Sequence, residues 1–170
     1  MFSNCKKYEK QNTNNIAEDE YYTIKQSEIL QNKNLPALIN KLLNEDLQVN
    51  SSKEKIPSFI YDFLEAFDND FKIANPEENW TATDVTIDKK LPQRKLIYFA
   101  QGKEISLLSY YKGRIGKSIC IVIFENNGDN ITDFWCGHLN REMTDKDEII
   151  DYLQKNIKNH FVLNTNIITF

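Results

Sequence analysis

The chain has 170 residues, a formal net charge of −4 and a pI near 5.3. This length suits one domain with a short extension, because domains usually contain about 100–150 residues. A hydrophobic share of 41% is enough for a core and argues against wholesale disorder. No apolar run approaches the roughly 18–20 residues that cross a bilayer. The acidic balance argues against a nucleic-acid binder, which normally carries a basic patch.

The first 33 residues differ in composition from the rest. The run KKYEKQNTNN is polar and has no hydrophobic periodicity, which is typical of a flexible tail or linker. The following stretch, IAEDEYYTIKQSEILQN, carries scattered apolar residues and is interpreted as a marginal helix or docking arm. The sequence therefore predicts a tether over residues 1–33 and a single α+β domain over residues 34–170.

Three helices are predicted within this domain, over residues 36–46, 58–71 and 145–157. Apolar residues repeat at spacings of three and four along each of them, which is the pattern of a helix with one buried face. Asn34 and Thr144 are suitable N-caps for the first and third helices. Asn75-Pro76 is expected to end the second helix, since the residue before a proline disfavours the helical region.

From Trp80 onward the hydrophobic period changes to two. Five strands are predicted, over residues 81–88, 94–101, 104–112, 118–125 and 130–138. Their short connections require an antiparallel meander. The strand SICIVIFE is apolar on both faces, which predicts a layer packed on each side. The tail HFVLNTNIITF is a candidate edge strand. The predicted fold is thus α+β, with N-terminal helices packed on a meander of about five strands, followed by a C-terminal helix.

Cys5 gives the clearest indication of a cellular address. In Phe2-Ser3-Asn4-Cys5 a large apolar residue and two small ones precede a cysteine. The end of a bacterial lipoprotein signal peptide has this form, and its cysteine is lipidated. The sequence departs from that pattern at Asn4, and the charged and apolar regions of a signal peptide do not precede it. Lipid attachment at Cys5 is therefore predicted beside the alternative of an ordinary N-terminus with a chance cysteine.

Cys120 and Cys136 lie on consecutive predicted strands. A hairpin that turns about Gly128 would place them opposite each other, and an oxidising compartment favours paired cysteines. Directly opposite residues are about 4.5–5.5 Å apart at Cβ, which is near but usually beyond disulfide spacing. The pair is thus a candidate disulfide, and two buried free thiols are the favoured alternative.

No catalytic residue, metal site or cofactor is predicted. Cys136 and His138 share one face of a strand and invite assignment as nucleophile and base, with Asp133 close by, but nothing in the sequence lowers the pKa of the thiol. The GKS sequence of residues 116–118 does not form a P-loop, because Tyr111 stands where that motif needs a glycine and a strand follows it. The chain has no CxxC, HExxH or DxDxDG pattern. A small Cys/His hydrolase is the least favoured function.

Aromatic residues offer another kind of site. Five of them are candidates for a binding surface or ligand groove, namely Trp80, Tyr98, Tyr110, Tyr111 and Trp135. Large aromatic side chains also dominate the cores of domains. Burial in the core is therefore the alternative for each of the five.

Several stretches resemble one group of proteins. They are IANPEENWTATD, LPQRKLIYFAQ, SYYKGRIGKS, DFWCG and LNTNIITF, which are similar to segments of small lipoproteins of Bacteroidetes-type bacteria. The resemblance covers about residues 56–170. It implies a location in the cell envelope and fits a lipid anchor at Cys5, but it implies no activity and no catalytic residues.

These observations predict a non-catalytic envelope lipoprotein whose domain binds or supports an envelope protein or a small ligand, without a cofactor or nucleic acid. The lipid on Cys5 would be its only membrane attachment, and a chain without that lipid would be cytoplasmic. The alternative from another class is an immunity-type inhibitor of an antibacterial toxin, since an acidic surface steers a basic toxin.

Overall fold

Helices lie on both faces of a central sheet in the computed structural model, which describes residues 26–83, 91–113, 116–163, 165 and 167–170. The helices are α1 (Gln26–Leu30), α2 (Leu35–Asn44), α3 (Ser58–Phe67), α4 (Lys146–Asn156) and α5 (His160–Leu163). The strands are β1 (Gln48–Asn50), β2 (Ile73–Ala74), β3 (Arg94–Gln101), β4 (Ile105–Lys112), β5 (Ser118–Asn127) and β6 (Asn130–Leu139). The predicted α+β class is confirmed.

The sheet has the strand order β1-β3-β4-β5-β6, and the short β2 pairs in parallel with β3. Strands β3 to β6 form the predicted antiparallel meander. Residues 120–124 of β5 are all buried, as expected for a strand that is covered on both faces. Most of the predicted strand over 81–88 lies outside the described residues, and Thr81 and Ala82 adopt no regular structure.

Helix α3 covers one face of the sheet, called here the α3 face. Phe124 on β5 lies directly opposite Phe134 on β6. The ring of Phe63 on α3 packs edge-on against both, with centroids 5.7 Å and 4.9 Å away. The rings of Phe67 and Phe170 join the same cluster. Such edge-to-face pairs stabilise a core beyond the area they bury, by about 0.5–1.5 kcal/mol each.

The opposite face, called the α2 face, is covered mainly by α2 and α4, which contact each other, and by α1 and α5 at the β6 edge. Two polar contacts fix α2 on the sheet. Lys41 Nζ lies 2.6 Å from Glu125 Oε1, and Asn34 Nδ2 donates to Asp133 Oδ1 at 2.9 Å. Glu125 and Asp133 are directly opposite each other on β5 and β6. The two helical layers and the sheet thus form three layers.

The packed domain begins before the predicted boundary at residue 33. Ile29 on α1 is 1% exposed, and Asn32 is also buried. The Asn32 side chain donates to the carbonyl oxygen of Ile157 at 3.0 Å. Residues 26–33 were assigned to the tether because their apolar residues lack a clear period. They are held instead by contacts with residues more than a hundred positions away.

Three helix ends differ from the sequence predictions, and at two of them the cause is a tertiary side-chain contact. Asn34 does not cap α2, since its amide donates to Asp133 and to the carbonyl oxygen of Phe134. Helix α3 ends at Phe67, well before Asn75, because Asp68 turns into an extended conformation and pairs with the buried Arg94. The N-cap of α4 is Asp145, whose carboxylate accepts from the amide of Glu148 at 3.0 Å.

The C-terminal segment does not form the predicted edge strand in its described residues, 160–163, 165 and 167–170. It begins instead with α5, which contacts β6 and α4. Phe170 is 4% exposed and packs into the phenylalanine cluster of the α3 face. Leu163 and Phe170 are therefore the apolar residues that bury this tail, whereas Phe161 and Ile167 stay exposed.

Candidate functional site: an aromatic groove at the end of the sheet

The five candidate aromatic residues separate into a buried set and a surface pair. Tyr98, Tyr110 and Trp135 are 3%, 0% and 0% exposed. They belong to the core, so their assignment to a binding surface is wrong. Burial raises the pKa of both tyrosines above the ordinary value, which keeps their hydroxyls protonated. Trp80 and Tyr111 are only half-buried and remain as candidates.

Trp135 is buried on the α2 face in a site that matches both its shape and its hydrogen-bonding group. Its indole Nε1–H donates to Asn32 Oδ1 at 2.8 Å, so its one polar group is satisfied. Gly137 leaves room for the ring, because a Cβ at that position would lie 2.5 Å from a Trp135 ring carbon. Trp135 therefore fills a site shaped around it and offers no surface to a ligand.

Trp80 stacks on Tyr111 at the end of the same face. Their ring centroids are 5.7 Å apart and the planes differ by 16°. Gly113 permits this approach, because a Cβ there would lie 2.4 Å from the carbonyl oxygen of Thr81. The amide of Thr81 also donates to the carbonyl oxygen of Pro92 at 2.9 Å. The chain that carries Trp80 is thus held against the end of β4 beside Tyr111.

Lys117 adds a charge to this aromatic pair. Its Nζ lies 4.1 Å from the centroid of the Tyr111 ring, which is a cation–π contact. Tyr111 lies opposite Lys95 on β3 and opposite Ile119 on β5. Two lysines, Lys95 and Lys117, therefore lie beside the Trp80–Tyr111 pair at the end of β3 and β4.

A groove of about 430 Å³ opens beside the stacked rings. It is called here the Trp80 groove, and the residues that line it include Trp80, Lys95, Ile97, Tyr111, Lys117 and Glu142. Among the residues that the structure describes, no ion pair engages Lys95, Lys117 or Glu142. The groove thus combines an aromatic lining with two ammonium groups and one carboxylate, none of which forms an ion pair within the described part of the chain.

A second groove, of about 560 Å³, adjoins the first. It is called the His138 groove, and Ser118, Ile119, His138 and Asn140 line it. Tyr111, Lys117 and Glu142 border both grooves. Burial, and then the charge of Lys112, lowers the pKa of His138 below its ordinary value, so its imidazole is neutral at pH 7. The two grooves adjoin at Tyr111, Lys117 and Glu142, and the pair is called the trough.

The residues considered for nucleophilic catalysis are not assembled. Asp133 lies on the α2 face and bonds Asn34, whereas Cys136 and His138 occupy the register positions of the α3 face. Burial raises the pKa of Cys136 to about 12 and also raises the pKa of Cys120. A thiol with a raised pKa is a poor nucleophile at pH 7. The geometry gives a Cys/His hydrolase no support.

The two strand cysteines are free and buried. The predicted register is wrong, because Cys136 lies opposite Val122, and Cys120 lies opposite His138. The β5–β6 hairpin turns through two residues, Gly128 and Asp129, and its register shifts again beside Glu125. The two effects together move the partner of each cysteine by two positions.

The remaining predictions concern lipid attachment, metal binding and the membrane. Cys5 and most of the predicted tether lie outside the described residues. Within the described ranges there is no cluster of three or more histidine, cysteine or acidic side chains suited to a metal ion. None of the helices described here is long and apolar enough to span a bilayer.

Comparisons with protein-family models, with curated proteins and with solved structures found no match to this chain. The resemblance to envelope lipoproteins therefore stays a prediction from sequence.

Sequence reasoning identified Trp80 and Tyr111 but missed the charged residues beside them. Lys117 was interpreted only as part of a glycine-rich turn, and Lys95 only as a strand residue. No local pattern in the sequence marks Glu142. The alternation along β3 and β4 could have placed Lys95 and Tyr111 on one face, because the two strands are joined by a short hairpin.

Proposed function

We propose that this protein is a non-catalytic binding module, tethered to the cell envelope through a lipid on Cys5. The observation that carries the binding part is the half-exposed stack of Trp80 on Tyr111, bordered by charged side chains that form no ion pair with the described residues. An aromatic pair outside the core, with polar groups converging on it, is the usual composition of a ligand groove. The volume of each groove falls in the range of about 300–1,000 Å³ that is common for such sites.

The proposal of an envelope address depends on sequence alone. It is supported by Phe2-Ser3-Asn4-Cys5 and by the resemblance over residues 56–170. The structure adds one constraint, since packed residues are present from Gln26 onward. Twenty residues, 6–25, separate Cys5 from that point. Even fully extended they would span at most about 70 Å, so the domain would act close to its membrane.

The address is tested by the intact mass of the protein, expressed with the full upstream region of its gene. We expect a mature chain that begins at Cys5 and carries a diacylglycerol, found in the membrane fraction. Cys5→Ala is the matched control and should give an unprocessed, soluble product. An unmodified wild-type chain in the soluble fraction would contradict the envelope address.

Ligand binding at the trough can be measured against an internal reference, because the chain contains only two tryptophans. In a ¹H–¹⁵N NMR spectrum, a ligand in the trough should shift the indole signal of Trp80 and leave that of the buried Trp135 in place. The titrant is a detergent-solubilised envelope fraction of the native host. Tyr111→Leu should abolish the shift. A fraction that moves both signals equally, or neither, would contradict binding at this site.

An immunity-type inhibitor is a second candidate, and α3 provides an observation in its favour. Asp62 and Glu65 are exposed on this helix, and Phe67 beside them is 48% exposed. An apolar ring flanked by carboxylates suits a basic protein partner, because complementary charge speeds encounter. Co-expression with a basic protein encoded nearby should then yield a complex. Asp62→Lys/Glu65→Lys should disrupt it, whereas Asp46→Lys/Asp129→Lys, on other exposed sites, should not.

A further inference from the structure

The Trp80 groove has an aromatic lining that is partly exposed among the described residues. Trp80 and Tyr111 stack nearly in parallel, with an interplanar angle of 16°, and both line the Trp80 groove. The face of an aromatic ring carries partial negative charge, and polarised C–H groups are partially positive. One face of a pyranose ring presents several such C–H groups together. A sugar ring therefore matches the shape and the electrostatics of this surface.

The charges beside the rings favour a ligand that carries a carboxylate. Lys95 and Lys117 contribute two ammonium groups with three donors each, and neither has an ion-pair partner among the described residues. Glu142 contributes an acceptor in the same groove. Counting these three side chains, the groove carries one net positive charge in a chain whose net charge is −4. A singly charged anion suits it.

The single carboxylate of Glu142 argues against a nucleotide. A phosphate chain carries several negative charges and only acceptor oxygens, so Glu142 would repel it and find nothing to bond. Sugar hydroxyls, in contrast, donate to a carboxylate and accept from an ammonium or amide. The mixture of donors and acceptors in the trough therefore matches a hydroxyl-rich acid better than a phosphate ester.

The trough is longer than one ring. The His138 groove continues past Tyr111 and Lys117, and it adds the polar side chains of Ser118, Asn140 and the neutral His138. Asn140 both donates and accepts, which suits hydroxyl groups. A second sugar residue linked to the first would fall along this part of the trough.

We infer that the trough binds an acidic oligosaccharide of the uronic-acid type. One ring stacks on the face of Trp80 that is turned away from Tyr111, its carboxylate pairs with Lys95 or Lys117, and hydroxyls bond Glu142 and Asn140. This inference rests on the proposed binding function and specifies the class of its ligand. Such a site differs from a general aromatic patch because its ligand must have both a sugar ring and a negative charge.

The test uses a disaccharide of one galacturonic acid residue and one neutral sugar, which carries a single charge, and, as the matched control ligand, its methyl ester, which keeps the rings and removes the charge. Binding is followed by the two tryptophan indole signals in the NMR spectrum of the full chain. We expect a saturable shift of the Trp80 signal by the acid, a fixed Trp135 signal, and at least about tenfold weaker binding of the ester, because a charge-assisted contact is lost.

Variants of the lysines distinguish a defined site from general attraction. Lys117→Gln and Lys95→Gln should each weaken binding of the acid several-fold, to about tenfold, and should change binding of the ester little. Lys55→Gln is the matched control, since Lys55 is exposed and does not line the trough. Tyr111→Leu should remove binding of both ligands. An unchanged Trp135 signal verifies that each variant is folded.

Three outcomes would overturn the inference. The ester binds as tightly as the acid, Lys55→Gln weakens binding as much as Lys117→Gln, or inorganic pyrophosphate shifts the Trp80 signal at lower concentration than the acid does. If neither the acid nor its ester binds while an envelope fraction still moves the Trp80 signal, the sugar assignment fails and the proposed binding function stands. If the envelope fraction also has no effect, both fail.

Discussion

The two tryptophans of this protein occupy opposite kinds of environment on one side of the sheet. Trp135 is fully buried beneath the helices of the α2 face, and its indole N–H bonds Asn32. Trp80 lies at the end of the sheet, half-exposed and stacked on Tyr111. The first environment is closed and all its polar groups at the ring are paired. The second leaves the ring partly exposed, beside charges that have no ion-pair partner in the part of the chain that the structure describes.

This difference shows which aromatic residues stabilise the fold and which are available for recognition. A large ring stabilises a domain when it is removed from water and its polar atom finds a partner. An aromatic ring that stays half-exposed contributes less to folding and presents area to a ligand. Mutations around Trp135 should therefore lower the stability of the fold. Mutations around Trp80 should mainly weaken ligand binding.

The largest expected effect is that of Trp135→Ala. It should lower the free energy of unfolding by about 3–5 kcal/mol, because it leaves a cavity in the core. Trp80→Ala, the matched substitution in the open region, should cost only about 1 kcal/mol, the contribution of one aromatic pair. Urea unfolding monitored by circular dichroism measures both. Equal losses would contradict the distinction between the two regions.

Asn32→Ala tests whether the polar contact of Trp135 matters for stability. The substitution leaves the buried indole N–H without its acceptor, which should cost about 1–3 kcal/mol. The exposed Asn40→Ala should cost much less. In a Trp135→Phe background the cost of Asn32→Ala should shrink, because no indole N–H remains to be satisfied. An undiminished cost would mean that Asn32 acts through Ile157 instead.

His138 lies on β6, as Trp135 does, but at a register position of the α3 face, and it lines the His138 groove. Because its pKa is lowered in the fold, the unfolded chain binds a proton more readily. The free energy of unfolding should therefore fall as the pH drops below about 6.5, the ordinary histidine pKa, and level off below the folded pKa. His138→Gln should reduce this dependence in urea titrations at several pH values. An identical dependence in the variant would refute the assignment.

The smallest expected effect on stability concerns Lys117. Replacing it with glutamine removes the cation–π contact with Tyr111, which contributes about 0.5–1 kcal/mol at an exposed site. Thermal unfolding of Lys117→Gln, compared with the surface control Lys55→Gln, measures this difference. A loss above about 2 kcal/mol would show that Lys117 supports the fold, and would weaken its assignment to the trough.

The helices and the meander could be predicted because their signals are local. The apolar spacing of α2 and α4 and the alternation along β3 and β4 are visible within ten residues of chain. The cysteine register could not be predicted in this way. It depends on a two-residue turn and on a register shift beside Glu125, and each moves the pairing without leaving a clear pattern in composition.

By itself, the sequence determined the α+β class, the order of helices and strands, and the presence of an aromatic pair among the candidates. Hydrophobic periodicity suffices for these features, since it reflects which side of each element is buried. Only the tertiary structure decided that the indole N–H of Trp135 bonds Asn32. It also decided that Trp80 stacks on Tyr111 in a groove that Lys117 and Glu142 line. Those contacts join residues distant in the chain, and their distances are fixed only when the layers pack together.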